Sequence, residues 1–106
     1  TRKAFASDPL ALALAQQAVV VGDDKKLNQI ERNFLYMPYM HSESLAIHQV
    51  ATQLYMQNGI DSSIDFEKQH RSIIERFGRY PHRNEILNRA SSPAEIAFLG
   101  QENSSF

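Results

Sequence analysis

The chain has 106 residues, a formal net charge of −1, 42% hydrophobic and 22% charged residues, and no cysteine. This composition is globular rather than disordered, excludes disulfides, thiolate zinc sites and a cysteine nucleophile, and argues against nucleic-acid binding through bulk charge. No apolar run approaches the ~20 residues of a membrane span, and no signal-peptide pattern is visible, so the expectation is a cytoplasmic protein without membrane association.

A length of this order buries roughly two-thirds of the unfolded surface, which suits one small domain over residues 1–100. Asp8-Pro9 reads as a helix start, with Asp8 serving the first-turn amides and Pro9 losing no needed donor. Leu10, Leu14, Ala18 and Val21 fall on one face of that helix, and Gly22 stops it. After a charged turn through Lys26, Leu27, Ile30, Phe34 and Met37 recur at near-helical spacing until Pro38 breaks the pattern.

The third helix is expected from Ser42 to about Gln57, with Ile47, Val50, Ala51 and Leu54 inward, ended by Asn58-Gly59. A fourth follows a cap at Ser62 or Ser63 and turns Phe66, His70, Ile73, Ile74 and Phe77 inward until Gly78. Ser92-Pro93-Ala94-Glu95 is a capping box that opens a last short helix to Leu99. Residues 101–106 read as a flexible tail. No alternating run reads as a strand, so the expected class is all-α, built of antiparallel helix pairs.

Residues 70–89 concentrate the chemistry: five arginines and two histidines surround a Gly and a Pro that must interrupt a helix. Arg71 lies four residues from both Glu67 and Glu75 and reads as a surface salt ladder. Arg76, Arg79, Arg83 and Arg89 have fewer acids near in sequence, and a guanidinium fork beside a Gly-Tyr-Pro corner suits carboxylate or phosphate capture. They are the candidate anion-binding residues. His41, Glu43 and His82 form a candidate acid/base group, which is relevant only to an enzyme. His70, on the apolar face, reads as a hydrogen-bonded core histidine, and His48 as surface. Phe34, Tyr36, Tyr39, Tyr55, Phe66, Phe77 and Tyr80 read as core or its edge. No metal-ligand spacing, phosphate-cradling loop or nucleophile elbow occurs, so no metal or cofactor is expected.

The strings Ala4-Phe5-Ala6-x-Asp8-Pro9, Glu31-Arg32-x-Phe34-Leu35-Tyr36-Met37-Pro38 and His41-Ser42-Glu43 resemble the bacterial domain-of-unknown-function 924 family. So do Arg76-Phe77-Gly78-Arg79-Tyr80-Pro81-His82-Arg83-Asn84 and Ser91-Ser92-Pro93-Ala94-Glu95-Ile96-Ala97-Phe98-Leu99. The resemblance implies a helical fold similar to tetratricopeptide-repeat proteins and further helices upstream, which would make this chain the carboxyl-terminal part of a larger domain. It also implies glycine where this chain has Asn88, a residue that tolerates the left-handed region.

Two functions are weighed. The first is a helical interaction module with a basic site for an anionic small molecule or peptide near Tyr80–Arg83. The alternative is a small-molecule enzyme using His41, Glu43 and His82 as acid/base, with Arg79 and Arg83 as the anion clamp. Either way the uncovered Leu10/Leu14/Ala18 face leads us to expect self-association or pairing with an upstream segment.

Overall fold

The structure is a computed structural model and describes residues 5–101. Among them every regular element is helical: α1 (Asp8–Val20), α2 (Gln29–Leu35), α3 (Met37–Met40), α4 (Leu45–Asn58), α5 (Asp61–Phe77) and α6 (Pro93–Leu99), with 3-10 turns at Asp23–Lys26 and Pro81–Arg83. The expected all-α class is what the chain adopts. Residues 102–106 of the expected tail, and the start of the Ala4-Phe5-Ala6 string, lie outside the described residues. No described helix is long and apolar enough to cross a membrane.

Local chemistry explains most boundaries. Asn28 and Glu31 close a reciprocal capping box on α2, and Ser92 and Glu95 close the expected one on α6. Gly59 (φ +81°) and Gly78 (φ +72°) end α4 and α5 in the left-handed conformation, where any side chain would be strained. Asn88, at φ +57°, takes the left-handed turn that the family resemblance assigns to glycine.

Several starts differ from expectation. α1 begins at Asp8 itself, so Asp8 is a first-turn residue rather than the cap, and its carboxylate faces Arg83. α4 begins at Leu45, capped by the Ser44 hydroxyl, because Ser42 Oγ is used to accept from the Ser44 amide. α5 begins at Asp61, ahead of Ser62 and Ser63, without a side-chain cap. Proline does not end the helical path at Met37. Pro38 occupies the first turn of α3, where its missing N–H is no loss, so the break falls at Tyr36 instead.

The α4–α5 hairpin is the centre of the fold, and α3 packs on both of its arms while α1 lies against α3. One core cluster joins Ala15, Tyr36, Tyr39, Met40, Ala51 and Tyr55; a second joins Ile73, Ile74, Tyr80 and Phe98. Four of the expected inward residues point out: Ile30, Phe34, Val50 and Phe66 are exposed. The hairpin instead buries its polar positions. His48, expected at the surface, is fully buried, as is Glu67.

Those two residues explain each other. His48 Nδ1 lies 2.9 and 3.0 Å from the two Glu67 carboxylate oxygens, and Nε2 lies 2.6 Å from the Ser42 carbonyl oxygen. A carbonyl only accepts, so Nε2 carries a proton. A second proton is then shared between Nδ1 and Glu67, and the pair is neutral as a unit. Burial raises the Glu67 pKa, opposed by its bonds to His48 and Thr52. Glu67 is therefore not part of the expected ladder around Arg71. Arg71 sits 3.6 Å from Glu75 and donates to Thr52 Oγ1.

Candidate functional site

Tyr80 holds the basic segment to the scaffold. Its ring is fully buried, and its hydroxyl donates to the Met40 carbonyl while sharing, as a second acceptor at 2.9 Å, the His48 Nε2–H that also points to the Ser42 carbonyl. The rings of His48, His70 and His82 all lie 5.6–6.1 Å from the Tyr80 ring, and His41 lies 6.4 Å from His70. Three of the four histidines thus surround one phenol, and the fourth, His41, stands beside His70. His70 is the core histidine expected, donating from Nδ1 to the Phe66 carbonyl, and burial pushes its pKa down to about 4. Burial and the Arg83 charge also lower His41 and His82, so these imidazoles are neutral at pH 7.

The arginines divide by partner. Arg79 makes a two-pronged pair with Glu95 (2.9 and 2.7 Å) and donates to the Ala90 carbonyl. With that guanidinium beside it, Glu95 is held down to about 2. Arg89 clasps Glu43 at 3.0 and 3.1 Å and also donates to the Asn84 side chain and the Tyr80 carbonyl. Glu43 accepts the Tyr80 amide as well. Burial opposes ionisation of Glu43, but these bonds outweigh it and its pKa is lowered. Arg76 lies exposed over the Phe77 ring, its guanidinium carbon 4.6 Å from the centroid.

Arg83 is different. It is buried, and its guanidinium lies between two aromatic faces, 4.4 Å from the Phe5 centroid and 4.9 Å from that of Tyr80. Nη2 donates to the His41 carbonyl at 2.9 Å. Nη1 faces Asp8 at 3.8 Å, too long for a hydrogen bond, and the buried Nε has no acceptor. Of its three nitrogens only Nη2 makes a hydrogen bond, whereas all three nitrogens of Arg89 are used.

Arg83 opens onto a cleft of about 590 Å³ between α1, α3 and the Pro81–Arg83 turn. Asp8, His41, Ser42 and Glu43 supply the other polar atoms, and Phe5, Leu12, Phe34, Met37, Pro38 and Leu87 much of the apolar wall. Such a lining, mostly apolar with a few convergent polar groups, is the usual form of a small-molecule site. Of the residues singled out from sequence, the cleft brings together His41, Glu43 and Arg83; Arg76, Arg79, His82 and Arg89 are not on its wall. Sequence reasoning missed Phe5, Asp8 and Phe34 as site residues. Exposed Phe34 lines the cleft, which is why it leaves the core. No group of three or more His, Asp or Glu among the described residues is disposed to hold a metal.

Comparison with known proteins agrees with the motifs. The model of a bacterial family of unknown function, DUF924, matches residues 1–103. The chain belongs to the DUF924 family. Its fold is similar to that of a protein of unknown function from Agrobacterium tumefaciens, ATU0120, with a TM-score of 0.86 and 40% identity. That similarity covers 91% of this DUF924 chain and 54% of the Agrobacterium chain, so the chain spans about half the length of that relative. No curated protein matches it.

Proposed function

We propose that this chain is a helical binding module, of tetratricopeptide-repeat-like stacking, whose cleft takes the anionic group of a small molecule at Arg83. The observation that carries the reading is Arg83 itself. A buried guanidinium, fixed by two rings and one carbonyl, keeps an edge toward an apolar cleft without a bonded carboxylate. A carboxylate or phosphate placed there gains charge-assisted bonds without having to order a flexible side chain. Arg79 and Arg89 extend the basic segment but are occupied with Glu95 and Glu43. Their part in the reading is to hold the turn that aims Arg83.

The enzyme alternative is weaker on geometry. Both Glu43 oxygens are bonded, which holds the group ionised, and His82 and Arg79 lie off the cleft wall. Calorimetric titration with 3-phenylpropionate tests the binding reading. Saturable binding is expected, weakened at least about tenfold in Arg83→Gln, since one charge-assisted bond is worth about 1.5–3 kcal/mol. Failure to bind, or equal binding by the variant, would overturn it.

Self-association, or pairing with helices outside these residues, also belongs to this reading. α1 has no charged residue from Pro9 to Val20, and Leu10 and Leu14 are more than 60% exposed. A helix whose only polar side chains after Asp8 are Gln16 and Gln17 normally buries most of its surface. Light scattering is expected to give a mass above 12.1 kDa. A monomer that fails to bind an apolar dye would count against covering of this face.

A further inference from the structure

The charges around Arg83 constrain its ligand further. Asp8 Oδ2 stands 3.8 Å from Nη1, close enough to be felt by any bound anion but too far to satisfy the guanidinium. Asp8 is half-exposed at the mouth of the cleft, on the rigid first turn of α1. A bare carboxylate bonded to Nη1 would lie beside that second carboxylate, with Glu43 also on the wall. Like charges at such distances repel, and the apolar walls weaken the screening. The site as built therefore offers one donor edge and one acceptor, side by side, above an apolar chamber.

We propose that the ligand is zwitterionic: an α-amino acid with a large apolar side chain, its carboxylate on Arg83, its ammonium on Asp8 and its side chain among Phe5, Leu12, Phe34 and Met37. The two charged groups of an α-amino acid share one carbon, so they can bridge neighbouring partners of opposite sign. Ligand carboxylate, Arg83, Asp8 and ligand ammonium then form a closed ring of four alternating charges. In that ring the Asp8 charge changes from a repulsion into a bond. The neutral His41 ring, with its pKa lowered by burial, adds no competing cation beside the ammonium. A cleft of about 590 Å³ accommodates a side chain as large as that of phenylalanine with space beyond it. The inference rests on the binding reading above, because it presupposes that Arg83 takes the carboxylate.

Three probes separate the two: L-phenylalanine, N-acetyl-L-phenylalanine, which keeps only the carboxylate, and L-phenylalaninamide, which keeps only the ammonium. Titrated into the protein by calorimetry, L-phenylalanine is expected to bind at least tenfold more tightly than either blocked form. Asp8→Asn is expected to remove that preference while leaving N-acetyl-L-phenylalanine binding the same or tighter. If N-acetyl-L-phenylalanine binds the unaltered protein as well as L-phenylalanine does, the zwitterion inference falls and the anion-binding reading stands. If the amide binds best, both fall. If none of the three binds while 3-phenylpropionate does, the inference alone is overturned.

Discussion

Glu67→Ala is expected to destabilise the fold by about 3–5 kcal/mol, because removing one member of a buried pair strands the other without its partner. The side chains of both residues are essentially inaccessible, so solvent cannot compensate. A domain of this size has about 5–15 kcal/mol in total. Urea unfolding followed by circular dichroism is the measurement, with a large drop in midpoint as the expected result. Replacing both residues by leucine (His48→Leu with Glu67→Leu) is expected to recover much of the loss, since an apolar pair of similar volume needs no partner. A loss below about 1 kcal/mol for Glu67→Ala would mean that the pair does not organise the hairpin.

Acid is expected to act through the histidine cluster, and His70 dominates. Its pKa falls from 6.5 in the unfolded chain to about 4 in the fold. Above pH 6.5 the group is neutral in both states and exerts no pull. Between 6.5 and 4 the unfolded chain binds the proton and the folded one does not, so stability declines as pH falls. Below the folded value the decline levels off, after a total of about 3 kcal/mol at ~1.4 kcal/mol per pKa unit. His41 and His82 are shifted in the same direction and add to the slope. Glu95, held down to about 2 by Arg79 and the Ser92 amide, stays ionised throughout this window. Thermal unfolding from pH 7 to pH 4 is expected to show the melting temperature falling across that range, with a shallower fall in His70→Leu. An unchanged slope in His70→Leu would remove His70 from the account.

Helix existence was legible because it depends on local chemistry. Proline and the capping box at 92–95, together with Gly59 and Gly78, act within a few residues of themselves, and the structure keeps each of them. Facing was less legible. Ile30, Phe34, Val50 and Phe66 have the right spacing for a core but are exposed, while His48 and Glu67 occupy the buried positions. A signal was present: Glu67 shares a helical stripe with His70 and Ile74, and His48 shares one with Ala51 and Tyr55. A carboxylate on an apolar stripe needs a proton or a donor from another element, and a histidine on the facing helix's stripe is a natural source. Reading the two stripes together would have paired them.

The cleft was partly legible for a similar reason. Arg83 and His41 are far apart in sequence, but each lies beside a proline-marked interruption, and interruptions are where backbone carbonyls become available to a buried guanidinium. Asp8 was misplaced because its capping role can be read locally, whereas its position opposite Arg83 depends on how α1 packs on α3. Four arginines of the bend looked alike in sequence. Only tertiary partners separate Arg79 and Arg89, clasped by Glu95 and Glu43, from Arg83 with its open edge.

In the reading proposed above, the bend after Phe77 holds Arg83 rigidly at the base of a cleft so that it can take an anionic group. It is tested most directly by following the Arg83 side-chain Nε–H resonance, together with the Phe5 and His41 signals, during titration with 3-phenylpropionate. These three signals are expected to move together and saturate at one concentration, with Arg76 and Arg79 unmoved. Shifts confined to Arg76 and Arg79, or none at Arg83 up to saturating ligand, would contradict it.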